Sequence, residues 1–402
     1  MLPIIHHNDE LYVFDANPSK LKVNDIVIFK GDKRLIAHRL IFVDKSFAVT
    51  KGDSNPHNDG RMAIRKIVGK VEKIRRNGQI YSLGELYLIQ SSIYYKEILK
   101  IIRNFNRQKI EYLILKGLPL HLYYQGTTPQ RVYHDCDLMI RRKDFLKIKE
   151  IMKQHGYGEI IETAFDKKTI PINERSEISY SKIVNGVPVI FDLHFEPAFL
   201  MAQTSVLETL YEKTLMDELT NDLFKNKRSV TVKNQEIYIL NPEYLLVYLA
   251  LHFFSHSYRE SFRLHFMSHV VKKERISVKK WLQISKIINH YRVANFVYPS
   301  FKLLVKNTSL KVPEVFFNSL NITNSPAVQQ YSKTDISSDE SWLMGGANKF
   351  LIIYRLSQRP ELMKPLVFVN PKIIYKIIIF LKTMLFSYLR EGLKIHPNRS
   401  WL

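Results

Sequence analysis

Two stretches decide the fold of this chain: His134-Asp135-Cys136-Asp137-Leu138-Met139-Ile140 and, further along, Val189-Ile190-Phe191-Asp192-Leu193-His194. Both are apolar runs typical of strands, each carrying acidic residues. Side chains at positions i and i+2 of a strand point to the same face, so Asp135 and Asp137 present two carboxylates to one point. A strand from the later stretch, paired alongside, adds Asp192. The sequence therefore predicts three carboxylates at one edge of a sheet.

Strands and helices alternate on both sides of these stretches. A hydrophobic run at 112–115 and a helix over 119–124 precede the first stretch, and a helix over 143–155 follows it. A further strand over 178–183 precedes the second stretch. Such alternation is typical of a mixed α+β domain, which we place at residues 106–240.

The flanking segments have other patterns. Residues 1–80 contain short β-branched or aromatic runs separated by Gly, Asp and Asn, which predict a small all-β domain. Apolar residues then follow helical spacing over 81–105, which predicts a linking helix. From Asn241-Pro242 onward the pattern is helical, so residues 241–402 are predicted to form a helical C-terminal region. The predicted fold class is therefore α+β multidomain.

Composition and charge exclude several classes of protein. The 402 residues are 46% hydrophobic and 12% aromatic, which is too apolar for a disordered or collagen-like chain. The single cysteine, Cys136, excludes a disulfide framework and a cysteine-based zinc site. Lys and Arg number 60 against 38 Asp and Glu, giving a formal net charge of +22. This excess favours partners that carry phosphate or an anionic membrane surface, without constraining the fold.

The three acids indicate a particular kind of metal site. Carboxylate oxygens ligate hard cations, and Mg²⁺ held by carboxylates and substrate phosphates is the usual occupant, with Mn²⁺ as its substitute. A two-metal arrangement would hold the attacking and leaving oxygens of a phosphoryl displacement. Upstream, Lys116-Gly117 follows a predicted strand and precedes a short helix. Backbone N–H groups and the Lys116 ammonium can therefore face a triphosphate.

These residues resemble those of the DNA polymerase β-like nucleotidyltransferases, and among them the bacterial group labelled uncharacterised nucleotidyltransferase. The resemblance covers residues 95–330 and is carried by Leu115-Lys116-Gly117, Arg131, Asp135-Cys136-Asp137-Leu138, Gly156-Tyr157, Phe191-Asp192-Leu193-His194, Asn241-Pro242-Glu243-Tyr244-Leu245-Leu246 and Ala250-Leu251-His252. It implies metal-dependent transfer of a nucleoside monophosphate from an NTP to an acceptor. It also implies that Asp135, Asp137 and Asp192 are the metal ligands. The residues implied beside the NTP are Lys116, Gly117 and Arg131.

Several histidines in these regions could be taken for metal ligands. For His194 we favour a partly buried, hydrogen-bonded role over metal ligation. Two later pairs, His252 with His256 and His265 with His269, have i, i+4 spacing. Neither pair carries the acid of the zinc-protease motif, so we do not interpret them as a metal site.

Residues 1–75 resemble a second family, the signal peptidases of the S24/S26 serine type. The motifs that carry this resemblance, in order, are 21–29, Ala37-His38-Arg39-Leu40, Thr50-Lys51-Gly52-Asp53-Ser54-Asn55, Asp59 and 67–71. A histidine in place of the lysine base indicates the archaeal and endoplasmic-reticulum-like branch. The resemblance implies that a serine attacks the scissile carbonyl and that His38 accepts its proton. Asp53 or Asp59 would then orient the imidazole.

The attacking serine is the missing member of this set. In that family it directly precedes Met-x-Pro, and this chain starts at Met1-Leu2-Pro3, so the position falls one residue before the first. Either the true start lies upstream, or the module has kept its fold and lost its protease activity. Ser19, Ser46 and Ser54 sit in loops or motifs with other expected roles.

Three functions remain open from the sequence. The first is Mg²⁺-dependent nucleotidyl transfer from an NTP, and the second is a serine endopeptidase that processes a leader peptide. The third is a catalytically inactive scaffold that binds peptides. In a combined hypothesis, the first domain binds or trims a leader-like peptide or protein while the second modifies the same substrate or a partner.

Location and further partners follow from a few features. No secretory leader follows Met1, and NTPs are cytosolic, so we expect a cytoplasmic protein. Lys376 and Lys382 interrupt the apolar stretch 373–389, which predicts a buried or amphipathic helix, with weak association with a membrane surface as the alternative. The sequence has no RNP-like aromatic motif or evident helix-turn-helix, so nucleic acid is not an expected partner.

Overall fold

The structure of the chain is a computed structural model. It describes residues 4–31, 34–53, 55, 58–129, 131–133, 135–160, 175–197, 211–259, 261–323, 325–336 and 356. Within these residues the strands form two seven-stranded sheets. The second sheet is followed by helices up to Tyr331. The predicted α+β class and the helical C-terminal region are confirmed.

The first sheet contains the N-terminal strands. They are β1 (Glu10–Phe14), β2 (Ile26–Lys30), β3 (Leu35–Val43), β4 (Phe47–Lys51), β5 (Arg61–Ala63), β6 (Ile67–Arg76) and β7 (Gln79–Ser82). The antiparallel order is β1-β6-β2-β3-β4-β5, and β7 pairs with β6. Ile26 and Ile28 of β2 belong to one apolar cluster, whereas Val27 and Phe29 belong to another. Strand β2 is therefore covered on both faces, which explains its uninterrupted apolar sequence.

Helix α1 (Leu83–Arg107) runs from the first sheet to the second. The Ser82 hydroxyl accepts a hydrogen bond from the Glu85 N–H at 3.2 Å, and the Glu85 carboxylate accepts one from the Ser82 N–H at 2.7 Å. This capping box satisfies two backbone donors that a helix start leaves unpaired. The helix therefore begins and ends two residues later than the predicted 81–105.

The second sheet contains both stretches that carry the aspartates. Its strands are β8 (Tyr112–Ile114), β9 (Asp135–Ile140), β10 (Gly158–Glu159), β11 (Glu177–Val184), β12 (Val187–His194), β13 (Lys227–Val232) and β14 (Gln235–Leu240). Their order is β10-β11-β12-β9-β8-β14-β13. The β9–β12 and β8–β14 pairs are parallel, and β9 pairs antiparallel with β8. Strand β9 thus lies in the middle of a mixed sheet.

Helices pack against this sheet and continue beyond it. They are α2 (Leu118–Tyr124), α3 (Phe145–Gln154), α4 (Lys213–Lys225), α5 (Pro242–Ser255), α6 (Ser261–Glu274), α7 (Val278–His290), α8 (Ala294–Asn307), α9 (Glu314–Asn318) and α10 (Pro326–Tyr331). One apolar cluster extends from α1 through the sheet to α10. No helix in the described part of the chain is long and apolar enough to cross a bilayer. The stretch 373–389 lies outside the described residues.

The segment that leads into β9 is held by the first sheet and by α1. Val132 packs in the apolar cluster that contains Ile26 and Tyr87. The buried Gln90 side chain donates a hydrogen bond to the Tyr133 carbonyl at 2.9 Å. The start of the aspartate-bearing strand is therefore fixed by packing against the N-terminal part of the chain.

Candidate functional site

The three predicted carboxylates come together on the second sheet. The parallel pairing of β9 with β12 sets Asp192 opposite Asp137 and Ile190 opposite Asp135. Each of the three aspartates offers one oxygen, and these oxygens all lie within 4.8 Å of one another. We call Asp135, Asp137 and Asp192 the aspartate triad. Its oxygens are hard donors at a spacing that a divalent cation can bridge, while metal ligation itself stays a prediction.

Asp137 is the most enclosed member of the triad, with 1% of its surface exposed. Its Oδ1 lies 2.9 Å from His194 Nε2, and its Oδ2 lies 2.8 Å from Lys116 Nζ. Lys116 Nζ also lies 2.8 Å from Asp135 Oδ2. Oδ1 of the buried carboxylate is thus hydrogen-bonded to His194, and Oδ2 forms an ion pair with Lys116.

His194 is a buried partner of the triad. Its Nδ1 lies 3.2 Å from Glu177 Oε2, so the ring stands between the carboxylates of Glu177 and Asp137. Burial disfavours the charged ring, but the hydrogen bonds and charges of these two acids outweigh it and raise the pKa of His194 to about 10. The ring is therefore an imidazolium near neutral pH. It donates to Asp137, in agreement with the hydrogen-bonded role favoured from the sequence.

Asp192 contacts a neutral donor. The Ser179 hydroxyl donates a hydrogen bond to its Oδ1 at 2.5 Å. Burial and the negative charges of Asp137 and Asp135 raise the pKa of Asp192 to about 7. A carboxyl group with this pKa is protonated in about half of the molecules at neutral pH. A cation that binds there must displace that proton.

Lys116 and Gly117 follow β8 after one intervening residue, Leu115. The backbone at Gly117 has a φ of +98°, and a Cβ added there would lie 3.1 Å from the Asp135 carbonyl oxygen. Glycine suits this position because L side chains rarely adopt such a φ. Burial lowers the pKa of Lys116, but Asp135 and Asp137 together raise it above its ordinary value. Lys116 is therefore a permanent cation beside the triad, and its contact with phosphates stays a prediction.

The predicted NTP-binding residue Arg131 lies in a stack of aromatic rings. Its guanidinium carbon is 4.4 Å from the ring centroid of Tyr133 and 4.4 Å from that of Phe262 in α6. Stacking of this kind holds a guanidinium by cation–π attraction. Arg131 is thus placed next to the helical region, and its contact with an NTP stays a prediction.

Sequence reasoning missed two side chains of α5 whose pKa values respond to charges of the triad region. Burial raises the pKa of Tyr248 above its ordinary value, and the negative charge of Asp137 is the next largest cause. Burial, then Arg263 and Lys116, lower the pKa of His252 well below its ordinary value. The i, i+4 spacing of His252 and His256 predicts that both lie on one face of a helix. No motif in the sequence indicates that this helix faces the sheet.

Two further contacts to the triad region could have been found from a turn. Asn185-Gly186 joins β11 to β12 with both residues at positive φ, the conformation that a two-residue hairpin needs. Residues at equal distances from this turn along β11 and β12 lie opposite one another. Ser179 is therefore paired with Asp192, and Glu177 with His194. These are the contacts that the structure shows.

The first sheet assembles the second predicted set of residues in part. His38 Nδ1 lies 2.6 Å from Asp59 Oδ2, which also accepts a hydrogen bond from the Thr50 hydroxyl at 2.6 Å. A Cβ added at Gly52 would lie 2.8 Å from His38 Nε2, so the ring closely approaches that backbone. Of the two acids predicted to orient the imidazole, Asp59 is the one the structure places against it.

Asp53 has a different neighbour. Arg39 Nε and Nη2 donate to its two carboxylate oxygens, both at 2.7 Å. Arg39 Nη1 donates to the Tyr87 hydroxyl at 2.5 Å and to the Asn24 carbonyl at 3.0 Å. The bidentate pair with Asp53 is buried. The separate hydrogen bond from Arg39 to Tyr87 ties the first sheet to α1.

A comparison with protein families decides the identity of the larger part of the chain. The family described as uncharacterised nucleotidyltransferase matches residues 85–307. The chain belongs to this nucleotidyltransferase family. The match runs from the first turn of α1 to the end of α8, and so contains the whole aspartate triad.

Other comparisons add little to the family assignment. No curated protein matches the chain. A crystal structure of an antigenic nucleotidyltransferase-like protein from Paracoccidioides brasiliensis is similar at 13% identity, over 59% of this chain and 97% of that chain, with a TM-score of 0.29. The nucleotidyltransferase match leaves out residues 1–84, so the resemblance of the first sheet to signal peptidases stays a prediction.

Proposed function

We propose that the chain is a divalent-metal-dependent nucleotidyltransferase that moves a nucleoside monophosphate from an NTP to an acceptor. The observation that carries the proposal is the aspartate triad, whose oxygens converge within 4.8 Å inside the family's matched region. An acid cluster alone is common on protein surfaces. Here one member, Asp137, is buried, hydrogen-bonded to His194 and ion-paired with Lys116, which supports a preorganised site.

The donor set fits a hard cation. Asp135, Asp137 and Asp192 supply oxygens, and neither cysteine sulfur nor imidazole nitrogen belongs to this cluster. We therefore propose Mg²⁺ or Mn²⁺, held by the triad together with phosphate oxygens of the NTP. Bound there, the cation would neutralise charge on the attacked phosphate and on the departing pyrophosphate.

The residues of the chain have separate tasks in this proposal. The acceptor oxygen forms a bond to the α-phosphorus, and the bond from that phosphorus to the bridging oxygen breaks. Pyrophosphate departs with the electron pair, and the acceptor proton passes to water. His194 holds Asp137 in place, and Ser179 holds Asp192. Lys116 supplies a fixed positive charge beside the triad.

Transfer of label from an NTP tests the proposal. Wild-type protein is incubated with α-³²P-labelled NTPs, Mg²⁺ and a cell extract, and we expect label on an acceptor together with released pyrophosphate. The paired substitution Asp135→Asn with Asp137→Asn should abolish both. Wild-type protein that binds neither a divalent metal nor an NTP would instead favour the inactive scaffold.

The first sheet supports a second candidate, serine peptidase chemistry. The observation in its favour is the His38–Asp59 contact at 2.6 Å, which would hold the imidazole as a general base. An in-frame Ser codon directly before Met1 would supply the missing nucleophile. Cleavage of an extended leader-like peptide by protein carrying that serine, and its loss in His38→Ala, would establish this activity. If the first sheet binds no extended peptide, both the peptidase function and the peptide-binding function are excluded.

Location and domain division also remain proposals. We propose a cytoplasmic protein because NTPs are its substrate, and a weak contact of 373–389 with a membrane surface stays an alternative. We propose domain boundaries near residues 80, 105 and 240, with α1 (Leu83–Arg107) as the linking helix. Fractionation of cells that express the tagged chain would test the location.

A further inference from the structure

Helix α1 donates hydrogen bonds next to both strands that carry the aspartate triad. The Gln90 side chain donates to the Tyr133 carbonyl at 2.9 Å, and β9 begins two residues later at Asp135. One helical turn further along α1, the Tyr94 hydroxyl donates to the Ile190 carbonyl of β12 at 2.9 Å. Gln90 is 3% exposed, and Tyr94 is fully buried. One turn of α1 therefore contacts the backbone of both chain segments.

The two carbonyl groups lie close to the triad in the sheet. Ile190 pairs with Asp135 across the two strands and stands two residues before Asp192. Residues four apart on a helix have Cβ atoms about 5–6 Å apart. Neighbouring strands of a sheet are separated by a similar distance, about 4.8 Å. The two hydrogen bonds can thus hold β9 and β12 at a fixed separation where Asp135 lies.

Helix α1 packs on the face of the sheet opposite to the carboxylates. The Tyr157 hydroxyl donates to Glu97 of α1 at 3.1 Å, and the Tyr157 ring centroid is 5.2 Å from that of Phe191 in β12. Successive side chains of a strand point to opposite faces, so Phe191 and Asp192 lie on different faces. The helix therefore acts on the carboxylates through the backbone of their strands.

The first turns of α1 are fixed on the first sheet. Arg39 Nη1 donates to the Tyr87 hydroxyl at 2.5 Å, and Val132 packs in the same apolar cluster as Tyr87. Tyr87, Gln90 and Tyr94 have the i, i+3, i+7 spacing of one helix face. The face that contacts the two strands is thus held in place from its first turn.

We propose that Gln90 and Tyr94 are positioning residues for the aspartate triad, which hold β9 and β12 at the separation that a small divalent cation requires. This inference rests on the proposed transferase function, because it concerns the metal site of that reaction. Mg²⁺ requires nearly ideal octahedral geometry, whereas Ca²⁺ accepts irregular coordination. Mg²⁺ binding should therefore depend on these two side chains more than Ca²⁺ binding does.

Tyr94→Phe tests the inference through the loss of one oxygen atom. Without that hydrogen bond, the strands sample arrangements in which the carboxylates are misplaced, and Mg²⁺ binds only the fraction with the correct arrangement. Calorimetric titration of the full chain should show Mg²⁺ affinity lowered by about threefold to tenfold, the equilibrium factor of one net hydrogen bond. Ca²⁺ affinity should change by less than about twofold. Gln90→Met should give the same pattern, and Tyr94→Phe carries the test alone if Gln90→Met does not fold.

Tyr95→Phe is the matched control on the same helix. The Tyr95 hydroxyl donates to the Val232 carbonyl at 2.8 Å. Val232 belongs to β13, a strand of the same sheet that carries no member of the triad. This variant loses an equivalent hydrogen bond and should keep the wild-type affinity for both ions.

Four results would overturn the inference. The first is an equal loss of Mg²⁺ affinity in Tyr95→Phe, which would show a general loosening of the sheet. The second is an equal loss of Mg²⁺ and Ca²⁺ affinity in Tyr94→Phe. The third is wild-type Mg²⁺ affinity in Tyr94→Phe and Gln90→Met, with binding lost in the paired Asp135→Asn and Asp137→Asn variant, and it would leave the transferase proposal standing. The fourth is wild-type protein that binds no divalent cation, which would contradict both proposals.

Discussion

Asp137 and Asp192 occupy paired positions on the parallel strands β9 and β12, so two carboxylates point to the same small volume. Their ligand oxygens and that of Asp135 fit within 4.8 Å. Like charges this close repel, and burial strengthens the repulsion because little water screens it. The site is therefore less stable with all three carboxylates ionised than with a cation or a proton among them.

Asp192→Asn should stabilise the protein while weakening metal binding. Asparagine keeps the shape of the side chain and can still accept the Ser179 hydrogen bond. At about pH 8 the charge repulsion is removed, and we expect the free energy of unfolding to rise by about 1–2 kcal/mol. Mn²⁺ affinity should fall at least about tenfold because one ligand oxygen has lost its charge. Urea denaturation and calorimetry measure the two quantities.

Asp217→Asn is the control for that substitution. Asp217 is an exposed acid that pairs with Lys213 one helical turn away, so its loss should change neither quantity appreciably. If Asp192→Asn destabilises the chain at about pH 8, the carboxylate repulsion is not the dominant energy at this position.

The faces of single strands could be predicted from the sequence, whereas the contacts between distant elements could not. The i, i+2 rule placed Asp135 with Asp137, and the Asn185-Gly186 turn fixes Ser179 against Asp192. The parallel register of Asp137 with Asp192 has no such rule, because no short turn joins β9 to β12.

The contacts of the acids near His38, and those of Arg263, likewise could not be predicted from the sequence. Sequence reasoning left Asp53 and Asp59 as equal candidates beside His38, and only three-dimensional packing pairs Asp53 with Arg39. The contact of Arg263 with His252 depends on how α6 packs against α5. Helical packing of that kind is set by whole surfaces of side chains, which a motif does not encode.

Metal affinity should rise with pH across neutrality. The pKa of Asp192 is raised to about 7, so below that pH the group is mostly protonated and a cation must expel the proton. We expect Mn²⁺ binding to strengthen between about pH 6 and pH 8, with release of about one proton per ion at the lower pH. Calorimetry in buffers of different ionisation enthalpy measures this release. Affinity that is flat over this range, with no proton released, would contradict the raised pKa.

His194→Ala should destabilise the chain most at low and neutral pH. It removes the imidazolium between Asp137 and Glu177 and leaves a buried carboxylate with one partner fewer. Loss of one partner of a buried ion pair costs about 3 kcal/mol. The pKa of His194 is raised from 6.5 to about 10, so its stabilisation is fully present below pH 6.5 and is lost as the pH rises through about 10.

The difference in unfolding free energy between wild type and His194→Ala should therefore shrink from about pH 7 to pH 10. Urea denaturation at several pH values measures it. His290→Ala is the control, because His290 is an exposed histidine that contacts the exposed Glu218. A His194→Ala difference that does not depend on pH would indicate lost packing instead of lost charge.

Lys116→Gln should strengthen metal binding and weaken NTP binding. Lys116 Nζ lies 2.8 Å from oxygens of both Asp135 and Asp137, which are the oxygens a cation needs. Removing the competing ammonium should raise Mn²⁺ affinity several-fold, whereas loss of a positive charge beside the phosphates should lower NTP affinity by about tenfold. Lys70→Gln is the matched control, since Lys70 lies 2.8 Å from Asp25 in the first sheet and should affect neither ligand. If Lys116→Gln instead loses both metal and NTP affinity, Lys116 has a structural role in the site. Opposite changes in the two affinities are expected only if Lys116 competes with the metal and contacts the nucleotide.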